Sequence, residues 1–318
     1  METPIELTHP AFHDEDEARA YLETVIWPNG PICPCCGLGE QVKALGGKSM
    51  GPGWYHCSQC REKFTVRSRS IFERSHIALH KWLLAFRLMA SSKKGMSANQ
   101  LHRSLGVTYK TAWFMAHRIR EAMAEVDAAP LGGGSEGGEP GVVEVDETYF
   151  GNKNVITKRT RGGKATHSSQ RSIVALVERK GRSKMFHVER ADKETVHAII
   201  ARHVSPKAVL MTDESYLYRF AGHMVAGHET VKHSAKEYAR GTVHTNTVEG
   251  YFSVFKRGMK GVYQHCGEHH LHRYATEFNF RYANRVALGV DDAARTTLAL
   301  KGAPGKRLTY KLSVGVAA

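Results

Sequence analysis

The sequence predicts a multidomain chain: a small cysteine-knuckle unit, a helical unit and a larger α/β unit. Three observations predict it. Two Cys-x-x-Cys pairs stand early, in C33-P-C-C36 and C57-S-Q-C60. Apolar residues then recur at helical spacing through residues 76–123. Beyond the nearly side-chain-free stretch L131-G-G-G-S-E-G-G-E-P-G141, β-rich runs alternate with helical pattern. At 318 residues the chain is long enough for two or three domains and a sizeable core.

Charge narrows the partners. The 45 Lys and Arg outnumber the 31 Asp and Glu, for a net +14. That balance favours a polyanion, nucleic acid or an anionic membrane; the bland alternative is a basic protein with no such partner. No apolar run reaches the roughly 18–20 residues of a spanning helix, so no membrane is expected. The N-terminus, METPIELTHPAFHDEDEA, is acidic and lacks a signal-peptide pattern, which makes a cytoplasmic location the expectation. Six cysteines in that setting argue for metal binding or free thiols over disulfides.

Residues 1–70 read as an N-terminal helix and a zinc ribbon. Two residues within each Cys pair let both sulfurs of a turn face one ion. The two turns, with 20 residues between them, supply Cys33, Cys36, Cys57 and Cys60 at tetrahedral corners. Pro34 and Gly37 suit a tight knuckle. Short strands around a glycine turn are expected between the knuckles. Four thiolates leave no open position for water, so the Zn²⁺ is structural. Cys35 competes as a ligand, but register favours Cys33 and Cys36. His56 reads as a bystander.

Residues 71–128 read as a DNA-binding helix-turn-helix region. A first helix from about 76 to 92 places Leu79, Leu83, Phe86 and Met89 on one face. Ser97 caps a short helix with Leu101 and Leu105 inward, Gly106 turns the chain, and Thr108 caps a second helix. There Ala112, Met115, Ala116, Ile119 and Met123 fall at helical spacing. Tyr109, Lys110, His117, Arg118 and Arg120 are then candidates for phosphates or base edges. A plain helical hairpin with solvated charges is the alternative.

A Gly-rich linker, residues 129–141, precedes the α/β core of residues 142–286. Strands are expected at 142–150, 171–179, 182–189 and 208–213, with helices at 192–204 and from about 245. Three strands, a helix, a strand and more helix is the order of a ribonuclease-H-like fold. Residues 287–318 are weakly patterned and read as a basic C-terminal tail.

Acids give the core its chemistry. Asp146 lies towards the end of the first strand, in V142-V-E-V-D-E-T-Y-F-G151. Asp213 ends A208-V-L-M-T-D213. Glu249 sits on the helix of H244-T-N-T-V-E-G-Y-F-S-V-F-K-R257, with 35 residues between it and Asp213. Lys256 follows Glu249 by seven positions, two helical turns, so both share a face. Hard divalent ions take carboxylate oxygens from rigid elements, and three carboxylates can hold two ions about 3.5–4 Å apart. One such ion activates a water or a 3′-hydroxyl and the other stabilises the leaving oxygen; Lys256 reaches a phosphate beside them. Taken singly, each acid is better explained as a strand end or a solvated charge.

On these motifs the chain resembles bacterial insertion-sequence transposases of the DDE class, from the group with an N-terminal zinc ribbon. The resemblance runs over residues 16–285, through Y21-L-E-T-V-I-W-P-N-G-P-I-C-P-C-C-G37, Y55-H-C-S-Q-C60, F64-T-V-R-S-R-S-I-F72, V145-D-E-T-Y-F-G151, M211-T-D213, H244-T-N-T-V-E249 and F278-N-F-R-Y-A-N-R285. It implies a ribonuclease-H-like core, dependence on Mg²⁺ or Mn²⁺, and cutting and rejoining of transposon ends. Asp146 and Asp213 match the family's first two acids. Some members use the Asn of H-x-N-x-x-E with the downstream Lys, which keeps Asn246 beside Glu249 as the third residue. Spacing, Lys256 and carboxylate charge favour Glu249. The resemblance also implies terminal inverted repeats and target DNA as partners, and a homodimer or higher oligomer.

Neighbouring residues receive blander readings. Glu147 faces away from Asp146 on a regular strand, whereas Glu144 shares its face. The loop K153-N-V-I-T-K-R-T-R-G-G-K-A-T-H-S-S-Q-R171 carries six Lys or Arg and no acid. Its Lys158, Arg159, Arg161 and Lys164, with Lys256 and Arg257, are expected to meet phosphates, unless the loop is a solvated hairpin tip. His244 contacts DNA or caps the helix. Cys266 reads as packed, and H265-C-G-E-H-H-L-H272 as polar loop or DNA contact. The function expected is metal-dependent DNA strand cleavage and strand transfer. The alternatives are a non-catalytic DNA-binding regulator, or a nuclease without rejoining.

Overall fold

The computed structural model describes residues 6–47, 50–125, 129–134, 139–151, 155–160, 163–168 and 170–309, with the backbone alone for 155–160 and 163–168. The chain divides into two compact units, Met1–Glu125 with Arg285–Ala318, and Val126–Asn284.

The first unit begins with α1, Glu15–Ile26, whose Asp14 cap accepts the Asp16 and Glu17 N–H groups. Three acids in its first turn suit the helix dipole. Its Ala18, Leu22 and Val25 are buried. Next come β1 (Val42–Leu45), β2 (Trp54–Cys57) and β3 (Lys63–Phe64), an antiparallel sheet in that order. Trp27 meets Tyr55 and Phe64 edge-on at 5.4 and 5.9 Å, over a core of Cys33, Cys57 and Phe64. So small a core needs a second source of stability.

Helix α2, Leu79–Ser91, buries Leu79, Trp82, Leu83, Phe86 and Met89, each worth roughly 1.5–3 kcal/mol when fully removed from water. α3, Ala98–Leu105, starts with a complete capping box between Ser97 and Gln100. Gly106 closes it at φ +60°, and Thr108 caps α4, Tyr109–Ala122. These caps and boundaries follow from the sequence.

The second unit is built on a five-stranded sheet. Its strands are β4 (Val142–Phe150), β7 (Arg171–Glu178), β8 (Ser183–Val188), β9 (Val209–Asp213) and β10 (Gly227–Val231). The intervening β5 (Val155–Thr160) and β6 (Gly163–Ser168) pair as a separate antiparallel ribbon. The sheet order is β10-β9-β4-β7-β8. β4, β7 and β8 are antiparallel neighbours, while β9 and β10 run parallel to β4. Alternation then sorts β4: Val143 and Val145 pack with α5 (Lys193–His203), through Val196 and Ile200. Phe150 faces the other layer, α6 (Asn246–Gly258) and α7 (Leu271–Ala283), through Phe255 and Phe278. The short pair β11 (Ala239–Arg240) and β12 (Val243–His244) leads into α6. No helix among the described residues is long and apolar enough to cross a membrane.

Four features differ from the sequence reading. The linker's start is docked: Leu131 is buried and exchanges backbone bonds with His203 and Ser205. Gly132 lies at φ +77°, where a Cβ would stand 2.6 Å from the Ala208 Cβ. Glycine there serves close approach as well as flexibility. The tail instead holds α8, Asp292–Lys301, whose buried Arg295 donates to the Ala90 carbonyl of α2. β10 fell in a region without a readable alternation. The basic loop is a strand pair; its Lys158, Arg159 and Lys164 side chains lie outside the described residues, as does Arg161.

Candidate active site and metal centre

In the first unit, Cys33, Cys36, Cys57 and Cys60 bring their sulfurs within 4.8 Å of one another. Cys33 and Cys60 stand 3.5 Å apart and Cys36 and Cys57 3.6 Å apart. Tetrahedral zinc at about 2.3 Å from each sulfur needs about 3.8 Å, so the donors fit the ion with little adjustment. In the second knuckle the Cys60 N–H holds the Cys57 thiol down to about 7, against desolvation. Cys35 stays outside the cluster and accepts from Arg69 at 3.3 Å.

The second unit places Asp146 midway along β4, just past the end of that strand's pairing with β9, and Asp213 at the last residue of β9. The β4–β9 pairing runs from Val142↔Val209 to Glu144↔Met211; two residues further along each strand stand Asp146 and Asp213, close enough for the Asp213 charge to act on Asp146. Side chains opposite each other in such a pair share a face. α6 lies over that face, held by Val248 and Phe252. A cleft of about 790 Å³ follows, lined by Asp146, Glu147, Glu249, Lys256, Arg257 and Lys260 among others. After α6 the helix widens into a π turn, Met259–Tyr263, which carries Lys260 to the rim. Asn246, the first residue of α6, is exposed and is not among the residues lining the cleft. Among the described residues, the cysteines form the only group of three or more donors within 4.8 Å; the acids are more widely spaced.

Burial pushes the Asp146 carboxyl up to about 7, and the charges of Glu147, Asp213 and Glu249 add to the rise. Its carboxylate accepts the Glu147 N–H at 2.8 Å, which opposes the shift. Glu147 is also raised, first by burial and then by Asp213, against a hydrogen bond from the buried Tyr218 hydroxyl. Glu147 points to the α5 layer, as alternation requires, yet it still lines the cleft. Asp213 accepts the Ser215 N–H at 3.0 Å, and Glu249 accepts the Thr245 hydroxyl at 3.0 Å. The Asp146 and Glu147 carboxyls are both raised, and carboxylate oxygens are the donors a hard divalent cation takes.

Glu144 is 0% exposed and is not among the residues lining the cleft. Its Oε1 accepts from Arg179 Nε at 2.6 Å and from the Thr247 hydroxyl at 2.7 Å. Its Oε2 accepts the N–H groups of Thr247 and Val248 at 2.7 and 2.9 Å. Arg179 also donates to the Thr242 and His244 carbonyls and to His244 Nδ1. His244 is thus a member of this cluster. Neither Arg179 nor Tyr218 carried a local sequence signal, because each acts across the fold.

The expected DNA-contacting face of α4 needs correction. His117 is 0% exposed and Arg120 2% exposed. Arg118 is half-buried and donates to the carbonyls of Ile71 and Glu73 at 2.6 and 3.2 Å. These three serve packing, since helical spacing turns them towards the unit's interior. Tyr109 and Lys110 remain exposed at the helix start.

Two family models match the chain. Residues 140–283 match an ISXO2-like transposase domain and residues 13–63 a transposase zinc-ribbon domain. A Halobacterium salinarum protein, described as an uncharacterized protein in transposable element ISH50, is 27% identical over 263 residues. The alignment covers 78% of this chain and 84% of that protein.

Two outcomes are expected. The purified chain carries about one zinc, and Cys57→Ser loses it together with the ribbon's folded structure; metal analysis and circular dichroism check this, and full zinc in the variant contradicts it. Asp146 holds its proton more tightly folded than unfolded. The stability it contributes is present below about pH 4 and is lost as pH rises to about 7. Without added Mg²⁺ or Mn²⁺, Asp146→Asn therefore raises the melting temperature at about pH 8, by a gain of roughly 2–4 kcal/mol, and the gain shrinks towards pH 5. Equal thermal melts at pH 8 contradict the shift.

Proposed function

We propose, for a chain that carries both a transposase zinc ribbon and an ISXO2-like transposase domain, that it is a DNA transposase with a divalent-metal-dependent acid site. The observation that carries this reading is the cleft lined by Asp146, Glu249 and the basic Lys256, Arg257 and Lys260, with Asp213, outside that lining, close enough for its charge to raise the Asp146 carboxyl. Three antiparallel strands followed by two parallel ones around a central β4, flanked by helices, support a ribonuclease-H-like core. The ribbon and the α3–turn–α4 pair serve recognition of terminal inverted repeats, with Tyr109 and Lys110 as its exposed contacts.

Asp146, Asp213 and Glu249 hold the divalent ions, Mg²⁺ or Mn²⁺. When bound, these supply Lewis-acid stabilisation of charge on the reacting phosphate oxygens. The chain's own residues do the rest. β4 and β9 fix two carboxylates on one sheet face, and α6 brings the third. Glu249 lines the cleft and its charge acts on Asp146, which supports the carboxylate as the third residue. Lys256, Arg257 and Lys260 hold the DNA backbone along the same cleft, offsetting phosphate charge that the acids alone would repel. No side-chain nucleophile is required: a water cuts the strand, and the freed 3′-hydroxyl attacks target DNA. Joining of two ends makes a dimer or higher oligomer the working form.

The test is strand transfer with a DNA end and Mg²⁺, comparing wild type with Asp213→Ala. Wild type joins the end to target DNA, and the variant loses about 100-fold or more while still binding the end. Equal activity in both overturns the assignment. Cleavage without a joined product marks a nuclease. Tight end binding with no cleavage by wild type marks a regulator.

A further inference from the structure

We infer that Glu144 is a positioning residue for the acid site, acting through the N-terminus of α6. The inference rests on reading Asp146, Asp213 and Glu249 as one divalent-ion site. α6 lacks a cap of its own: Thr245 stands at the N-cap position but makes no side-chain bond to the helix N–H groups. Its hydroxyl goes to Glu249 instead. The N–H groups of Thr247 and Val248 are satisfied from outside the helix, by a carboxylate on β4. A negative group at that end also complements the helix dipole.

Position makes this cap more than a stabiliser. Glu144 and Asp146 are two residues apart on the same face of one strand, a fixed offset of about 6.6 Å along β4. Glu249 follows Val248, whose N–H the Glu144 carboxylate holds. One side chain therefore sets where Glu249 stands relative to Asp146. Arg179, just past the end of β7, completes the device. It pairs with Glu144 and grips the carbonyls of Thr242 and His244, which lead into α6. His244 Nδ1 accepts from Arg179 at 2.9 Å and lies 3.3 Å from Glu144. Strand, turn and helix are thus tied at one buried point, and the acids inherit that geometry.

Glu144→Gln keeps the shape but replaces one acceptor oxygen by a donor, so Thr247 and Val248 cannot both stay satisfied with Arg179. Full-length wild type and variant are compared by calorimetric Mn²⁺ titration, DNA-end affinity and single-turnover cleavage. The variant is expected to bind Mn²⁺ about tenfold or more weakly, as supporting residues of metal sites do. Its cleavage rate falls at least as far, while DNA-end affinity stays within about twofold because no phosphate contact is lost. Arg179→Ala gives the same pattern, and the double variant is no worse than the single ones, since the pair acts as a unit. Should Glu144→Gln fail to fold, Thr247→Ala removes one hydroxyl bond from the same carboxylate and weakens Mn²⁺ binding about threefold. Variants that melt earlier but bind Mn²⁺ and cleave like wild type overturn the inference and leave Glu144 a structural residue. A wild type that neither binds Mn²⁺ at the acids nor cleaves overturns the functional reading, and this inference with it.

Discussion

The buried carboxylate of Glu144 at the start of α6 is the constraint on which the second unit's site depends. A charge with no exposure must be paired and fully hydrogen-bonded, or it costs several kcal/mol. Here it has a guanidinium, a hydroxyl and two backbone N–H groups. Removing one partner from such a group destabilises by about 3–5 kcal/mol, so the arrangement tolerates little drift. β4, the end of β7 and α6 are locked to one another at that point. The cleft and the placement of Glu249 follow from it.

A second balance runs through the site itself. The chain carries a net charge of +14, yet its second unit gathers acids from β4, β9 and α6 near one another. Asp146 resists ionisation because it is buried and because Glu147, Asp213 and Glu249 are near. Such a patch repels a phosphate backbone until cations reverse its sign. Lys256, Arg257 and Lys260 line the same cleft. Acids and bases within one cleft suit a polyanion that must be held while one of its bonds reacts. The four cysteines solve a different problem, closing a ribbon whose core is too small to hold alone.

Much of this was legible in the sequence, because the signals are local. Ser97, Gly106 and Thr108 act within a turn of their own position, so caps and boundaries follow from residue type. The cysteine spacing gives the knuckles for the same reason. β4 and β9 carry apolar runs that end in acids, which exposes Asp146 and Asp213. What stayed hidden acts over long range. Arg179 follows a strand as an ordinary charge, and only the fold brings it to Glu144, 35 positions away. α8 finds its partners in α2, more than 200 positions earlier. Charge alone also misled: His117, Arg118 and Arg120 are basic residues of a basic chain, yet their place on α4 turns them inward. Glu147 keeps the face that alternation assigns, its carboxylate meeting the Tyr218 hydroxyl, yet it also lines the cleft.

The most direct measurement is anomalous diffraction from crystals of the chain soaked in Mn²⁺. The account predicts a manganese peak at the carboxylates of Asp146 and Asp213, with Glu249 drawn towards it. A peak that engages neither aspartate, or none in the second unit at saturating Mn²⁺, would contradict it.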